Sequence, residues 1–260
     1  MKYNKIILFF DTALVLSVIV RFLQIRYTVD FETGFFIHNS AGIGYFMMAV
    51  IFAVALISAI FAMTYYKDPE HPPKSGMVLG IASFLPAIAI FWDFFTGNTS
   101  SIIIPWQATL LKITGFASIV FFILYGIGKF TDLRLPEITT AIPCIYIIIR
   151  IISDFAAISS LAIITDYIFL IAAYCVMLLF FLNFTKLYNR IDTEQNFRKI
   201  LASGLSASIL CLSQSLSHFA INLVLGSKYN HVSHISNFGL LSFGIFILVF
   251  VFTHFSKENK

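Results

Sequence analysis

The chain has 260 residues, 59% of them hydrophobic and only 12% charged, with a formal net charge of +4 and a mean hydropathy of +0.90. Soluble domains carry about 25% charged residues, so a greasy soluble core is excluded. Apolar blocks recur along the whole length, each able to cross ~30 Å of hydrocarbon at ~1.5 Å per residue. They predict an all-α, polytopic transmembrane helical bundle in one membrane domain.

Eight spans are expected, at 6–25, 41–64, 76–96, 103–127, 141–159, 163–186, 201–225 and 233–255. The first follows Lys2 and Lys5 and contains Asp11 and Arg21 without a small-residue cleavage site. It reads as a retained span rather than a signal peptide. Asp11 stands alone there, satisfied by an inner lysine or serving as a proton relay. The loop RYTVDFETGFF holds Asp30 and Glu32 before a Thr33–Gly34 turn. A capped turn with Phe35 and Phe36 at the interface is expected, with a lid over the outer side as the alternative.

Further on, KDPEHPPK separates spans two and three, and TGNTSS separates three and four. TDLRLPE and NRIDTEQNFRK break the chain after spans four and six. Pro and Gly clusters of this kind end helices by removing donors and freeing the backbone. Asp93 lies late in span three, Lys112 in span four, Arg150 and Asp154 in span five, and Asp166 opens span six. His218 lies in span seven, and His231 and His234 stand at the start of span eight. Cys144, Cys175 and Cys211 fall inside spans and read as small apolar fillers rather than a disulfide framework.

Eight spans put 12 of the 17 Lys and Arg residues on one side and only Arg26 and Lys228 on the other. Arg21, Lys112 and Arg150 remain within spans. Positive loops stay inside, so both termini are expected in the cytoplasm and the protein in the cell membrane. The positive charge is then a topology signal and gives no reason to expect nucleic-acid binding.

On that topology nearly every ionisable group within a span lies at or above the midplane, toward the exterior. Tyr146, Arg150 and Asp154 are spaced i, i+4, i+8 and share one side of their helix. Gln214, His218 and Asn222 do the same in span seven, with Ser217 beside them, and Ser17, Arg21 and Gln24 line one side of span one. Such stripes must face the bundle interior or a watery cavity, because lipid offers them no partners.

Two readings of these charges stand side by side. Arg21, Lys112 and Arg150 balance Asp93, Asp154 and Asp166, as in an ion-pair network that only fixes helix packing. Arg150 and Asp154 could also satisfy each other along their own helix. Clustering at one depth favours instead an outward-facing polar site for an ion or small polar or anionic solute, built from Arg21, Asp93, Lys112, Arg150, Asp154 and His218. Arg and Lys would hold an anionic group while Asp154, Asp93 or His218 exchanged a proton. The competing class is a non-catalytic membrane scaffold or sensor subunit.

His218, His231 and His234 have types and spacing that a zinc ion accepts, and His218 with His234 could be axial haem ligands, but solvated or packed histidines suffice. No cofactor or metal is expected. The chain has no G-x-x-x-x-G-K-[ST], G-x-S-x-G or H-E-x-x-H, which counts against an NTPase, a serine hydrolase and a zincin. An enzyme acting on lipid head groups would need a metal or nucleophile near the outer boundary.

SVIVRFLQ at 17–24 resembles YIIIRIIS at 146–153, pairing Arg21 with Arg150. SFLPAIAIFWDF and SILCLSQSLSHF pair Asp93 with His218, and KITGFASIVF over HISNFGLLSF pairs Lys112 with His234. Two parallel four-helix repeats, 1–135 and 136–260, would be related by an axis along the membrane normal. VIVRFLQIRYTVDFETGFF, a first span with a late arginine and an acidic TGFF turn, resembles a group of uncharacterised multi-spanning membrane proteins of low-GC Gram-positive bacteria. The resemblance covers 18–36 and the span pattern, and implies a membrane-embedded fold without an assigned activity.

Overall fold

The structure is a computed structural model in which residues 2–31, 33–65, 76–96, 105–131, 135–159, 165–189, 191, 196–225 and 234–255 are described. They form eight α-helices: α1 (Lys2–Thr28), α2 (Ala41–Tyr65), α3 (Met77–Thr96), α4 (Pro105–Thr131), α5 (Ile142–Ser159), α6 (Thr165–Tyr188), α7 (Asn196–Leu225) and α8 (His234–Phe255). Each stands where a span is expected, with ends within five residues. Seven are long and apolar enough to cross a membrane, and α8 contributes a shorter apolar stretch, Asn237–Thr253, among the described residues. The fold is an all-helical membrane bundle. Hydrocarbon leaves no alternative partner for backbone polar groups, so each apolar block closes its own hydrogen bonds as a helix.

The helix starts follow local chemistry. Pro105 opens α4 and Pro143 lies in the first turn of α5, where a missing N–H costs nothing and the fixed φ suits a helix. Between α1 and α2 the expected capped turn forms. The Gly34 N–H donates to the Asp30 carbonyl (2.9 Å) and the Asp30 N–H to the Phe35 carbonyl (2.8 Å). The Thr33 hydroxyl donates to the Asp30 carboxylate (2.8 Å). Gly34 takes φ 75°, a left-handed conformation that a side chain would strain. Phe35 is exposed, whereas Phe36 packs inward.

Helix α7 is the pillar of the bundle. It packs against α1, α2, α6 and α8, and 89% of its apolar window is buried, against 28% for α1 and for α2. It is also the least hydropathic of the seven spans. The two facts have one cause: a helix enclosed by protein need not be soluble in lipid. Ser206, Ser208, Ser213, Gln214, Ser215 and Ser217 are all buried on it. Small side chains let neighbouring backbones approach, and close packing drives helix association where lipid tails are as apolar as leucine.

A closed cycle of contacts runs α3–α4–α5–α6–α7–α8 and back to α3, with α1 and α2 packed together against α7. Aromatic rings from α4, α6 and α8 fill this cycle. Phe122 meets Phe181, Phe243 and Phe246 edge-on, with centroids 6.0, 5.7 and 5.4 Å away. Each such pair adds about 0.5–1.5 kcal/mol beyond area burial. Toward one end the stack continues through Tyr125, Phe184 and Tyr188; toward the other, Phe243 stacks on Tyr146. Exposed Tyr27, Tyr45, Trp92 and Trp106 all lie at the α1 C-terminal end of the bundle, the arrangement of an interfacial aromatic belt.

Arg21 and Arg150, paired by the suggested repeat, each meet a carboxylate from another helix. Their third-helix counterparts differ in surroundings, since α3 packs chiefly against α4 and α8 and lacks α7's central place. Cys144 and Cys211 are buried free thiols and Cys175 is an exposed one.

Helices α3 and α4 meet where glycine removes a side chain. A Cβ on Gly126 would lie 2.6 Å from the Ser83 hydroxyl oxygen and 3.0 Å from the Gly80 carbonyl oxygen, a backbone atom that cannot step aside. Gly126→Val is therefore expected to cost about 1–3 kcal/mol by overpacking and to lower the thermal midpoint in detergent. Gly42→Ala, where an added Cβ meets nothing within 4 Å, should leave the midpoint unchanged or raise it.

Candidate functional site

The polar stripes face inward, as expected, but they form two separate clusters. The first joins α1, α6 and α7. Arg21 and Asp166 are both 0% exposed and pair at 2.5 Å. Arg21 Nε donates to Gln214 Oε1 (2.9 Å) and Nη1 to Gln24 Oε1 (2.6 Å), while the Phe169 ring lies 4.5 Å from the guanidinium carbon. Each guanidinium nitrogen thus has a partner and one face has a ring.

The outer contacts of this cluster tie the helices together. Gln24 Nε2 donates to the Gly44 carbonyl (2.7 Å), the Ser217 hydroxyl to the Val18 carbonyl (3.0 Å), and the Thr165 hydroxyl to the Gly34 carbonyl (3.3 Å). His218 Nε2 lies 3.0 Å from Gln214 Nε2 and 3.5 Å from Asp166 Oδ1. Arg21 already fixes which end of the Gln214 amide is the oxygen, so the amide nitrogen donates to His218 Nε2.

The second cluster joins α3 and α5. Arg150 Nη1 binds Asp93 Oδ2 at 2.6 Å and Nε binds Asp154 Oδ2 at 3.1 Å. The side chains of Arg150, Asp93 and Asp154 keep 11%, 17% and 14% exposure, in contrast to the dry Arg21 pair. Beside them is a cavity lined by Ala89, Ile90, Asp93, Tyr146, Arg150, Tyr174, Gly239 and Phe243, with about 20 Å³ of room for water centres. That is enough for one water or an ion of similar size. The i, i+4, i+8 stripe of Tyr146, Arg150 and Asp154 holds, since both Tyr146 and Asp154 lie within electrostatic reach of Arg150.

The charge balance separates the clusters. Arg21 and Asp166 cancel. Around Arg150 two carboxylates share one guanidinium, leaving one negative charge in excess among the described residues when both are ionised. A charge at bilayer depth is expensive without compensation, and the partial exposure of these side chains supplies some of it. Tyr167, next to Asp166 on α6, lies within electrostatic reach of Asp154 and Arg150 as well.

Of the six residues expected at one site, Asp93, Arg150 and Asp154 come together, Arg21 and His218 form the other cluster, and Lys112 joins neither. Lys112 is exposed, on the same side of α4 as Phe116 and Val120, where a long side chain reaches the interface by snorkelling. Asp11 is likewise exposed on α1. Asp166, Gln214, Gln24 and Tyr174 complete the clusters. Gln24 and Gln214 are visible in the stripes of α1 and α7, whereas nothing in the sequence singles out Tyr174. His231 and Glu32 lie outside the described residues, as does the side chain of His234. Among the described residues no group of three or more His, Cys, Asp or Glu is placed to hold a metal.

Removing one partner of the dry pair strands a buried charge, at a cost of about 3–5 kcal/mol. Arg21→Leu is expected to lose that stability in thermal unfolding, and Arg21→Met with Asp166→Leu to regain most of it. Comparison with protein families, with curated proteins and with solved structures finds no match. The helices themselves make the chain a multi-pass α-helical integral membrane protein.

Proposed function

We propose that this membrane protein binds and transports a small polar or anionic solute at the Arg150 end of the six-helix cycle, with proton exchange on Asp93 or Asp154. The observation that carries the reading is two carboxylates competing for one guanidinium at the lip of a cavity. While both are ionised, they occupy Arg150. Protonating one removes the excess charge and releases guanidinium N–H groups, which then suit the oxygen atoms of a solute. Solute binding accordingly strengthens as pH falls, because the proton and the solute favour the same state of Arg150. Tyr146 and Tyr174 give the cavity aromatic walls with polar tips. In the bilayer, the distribution of Lys and Arg favours this end facing outward and both termini lying in the cytoplasm.

The dry Arg21 cluster fits the alternative role of packing, since its guanidinium is fully engaged and buried. The two clusters thus divide the two readings of the charges between them.

A panel of the smallest anions, such as fluoride, chloride and formate, screened by thermal stabilisation of the purified protein at two pH values, tests the proposal. A binding solute should stabilise the protein more at the lower pH, and Arg150→Gln should abolish the effect while Lys112→Gln preserves it. Gly239 lines the cavity, and a Cβ there meets nothing within 4 Å. Gly239→Val should therefore block binding with little effect on the thermal midpoint. A solute that stabilises Arg150→Gln as well as the parent contradicts the assignment.

A further inference from the structure

A second polar group closes the opposite end of the aromatic stack. Lys129, near the C-terminus of α4, donates from Nζ to Tyr188 Oη on α6 at 3.0 Å. Tyr188 Oη and Tyr125 Oη lie 2.8 Å apart and share one hydrogen bond. The ammonium sits 4.6 Å from the Tyr125 ring centroid and 5.5 Å from that of Tyr188. Tyr125 is 3% exposed, while Lys129 and Tyr188 are half-buried at the mouth.

Donor accounting shows what the arrangement lacks. An ammonium has three N–H groups and each phenol one O–H. One N–H is used on Tyr188, and one phenol proton joins the two rings. Two ammonium protons and one phenol proton have no acceptor among the described residues. No carboxylate among them pairs with Lys129 either, so the site is a positive charge in an aromatic cage with a surplus of converging donors. Ring faces attract the ammonium but do not neutralise it. At the end of a span such a charge attracts anions, among them anionic lipid head groups.

We propose that Lys129, Tyr125 and Tyr188 form an oxyanion-binding site for a phosphate group, distinct from the Arg150 cavity and independent of any solute bound there. Phosphate offers acceptors in several directions, which suits an ammonium point charge flanked by a hydroxyl. The group can come from an anionic phospholipid or from free phosphate. A lipid head group is within reach because Lys129 lies two residues before the end of α4, at the level where head groups meet a span.

The test uses the full-length protein in neutral detergent. Its thermal midpoint is followed with inorganic phosphate replacing chloride at constant ionic strength, and separately with phosphatidylglycerol or phosphatidylcholine in mixed micelles. A rise of several degrees with phosphatidylglycerol but not phosphatidylcholine, lost in Lys129→Gln and kept in Lys129→Arg, is the expected result for a head-group site. The same pattern with inorganic phosphate identifies a free-anion site. Tyr188→Phe, which removes one hydroxyl and keeps the ring, should reduce the rise and preserves the test if Lys129→Gln does not fold. No rise with either source, or an equal rise in Lys129→Gln or Tyr188→Phe, overturns the proposal.

Discussion

A charge taken into hydrocarbon must bring its compensation with it, and this constraint organises the bundle more than any apolar contact does. Arg21 meets it completely: a carboxylate from α6, amides from α1 and α7, and a ring from α6 surround a guanidinium with no exposure. Because its partners come from three helices, satisfying Arg21 also fixes how α1 docks on α7 and where α6 begins. The Gly34 turn is held by the same assembly through Thr165. Apolar packing alone would leave α1 free to rotate, since lipid solvates its leucines as well as a neighbouring helix does.

Arg150 meets the constraint only in part. Its two carboxylates come from α3 and from its own helix, they keep some exposure, and a cavity opens beside them. Between this end and the Lys129 end lies the aromatic stack of α4, α6 and α8. The six-helix cycle therefore has an acid-rich end and a donor-rich end separated by rings.

Helix positions were legible because hydropathy and length report directly on what can cross a bilayer. Faces were legible too: Ser17, Arg21 and Gln24 are all buried, and Arg21 meets Gln214. Partners were not, because an i, i+4 stripe gives a direction and says nothing of which helix stands there. Asp166 lies 145 positions from Arg21, and no local rule joins them. Depth alone does not place Lys112: Leu111, Gly115, Ser118 and Phe122 mark the buried side of α4, and Lys112 is off it. The serine content of α7 signals its central place, since a polar-flecked span that still inserts has protein around it.

The proposed proton exchange at the Asp93–Arg150–Asp154 cluster has a direct spectroscopic readout. Infrared difference spectroscopy between two pH values, on protein in lipid, reads it directly through the carboxylic acid C=O band. The account predicts a titrating C=O component in the parent that disappears in Asp93→Asn/Asp154→Asn. Identical difference spectra from the parent and that variant would contradict it.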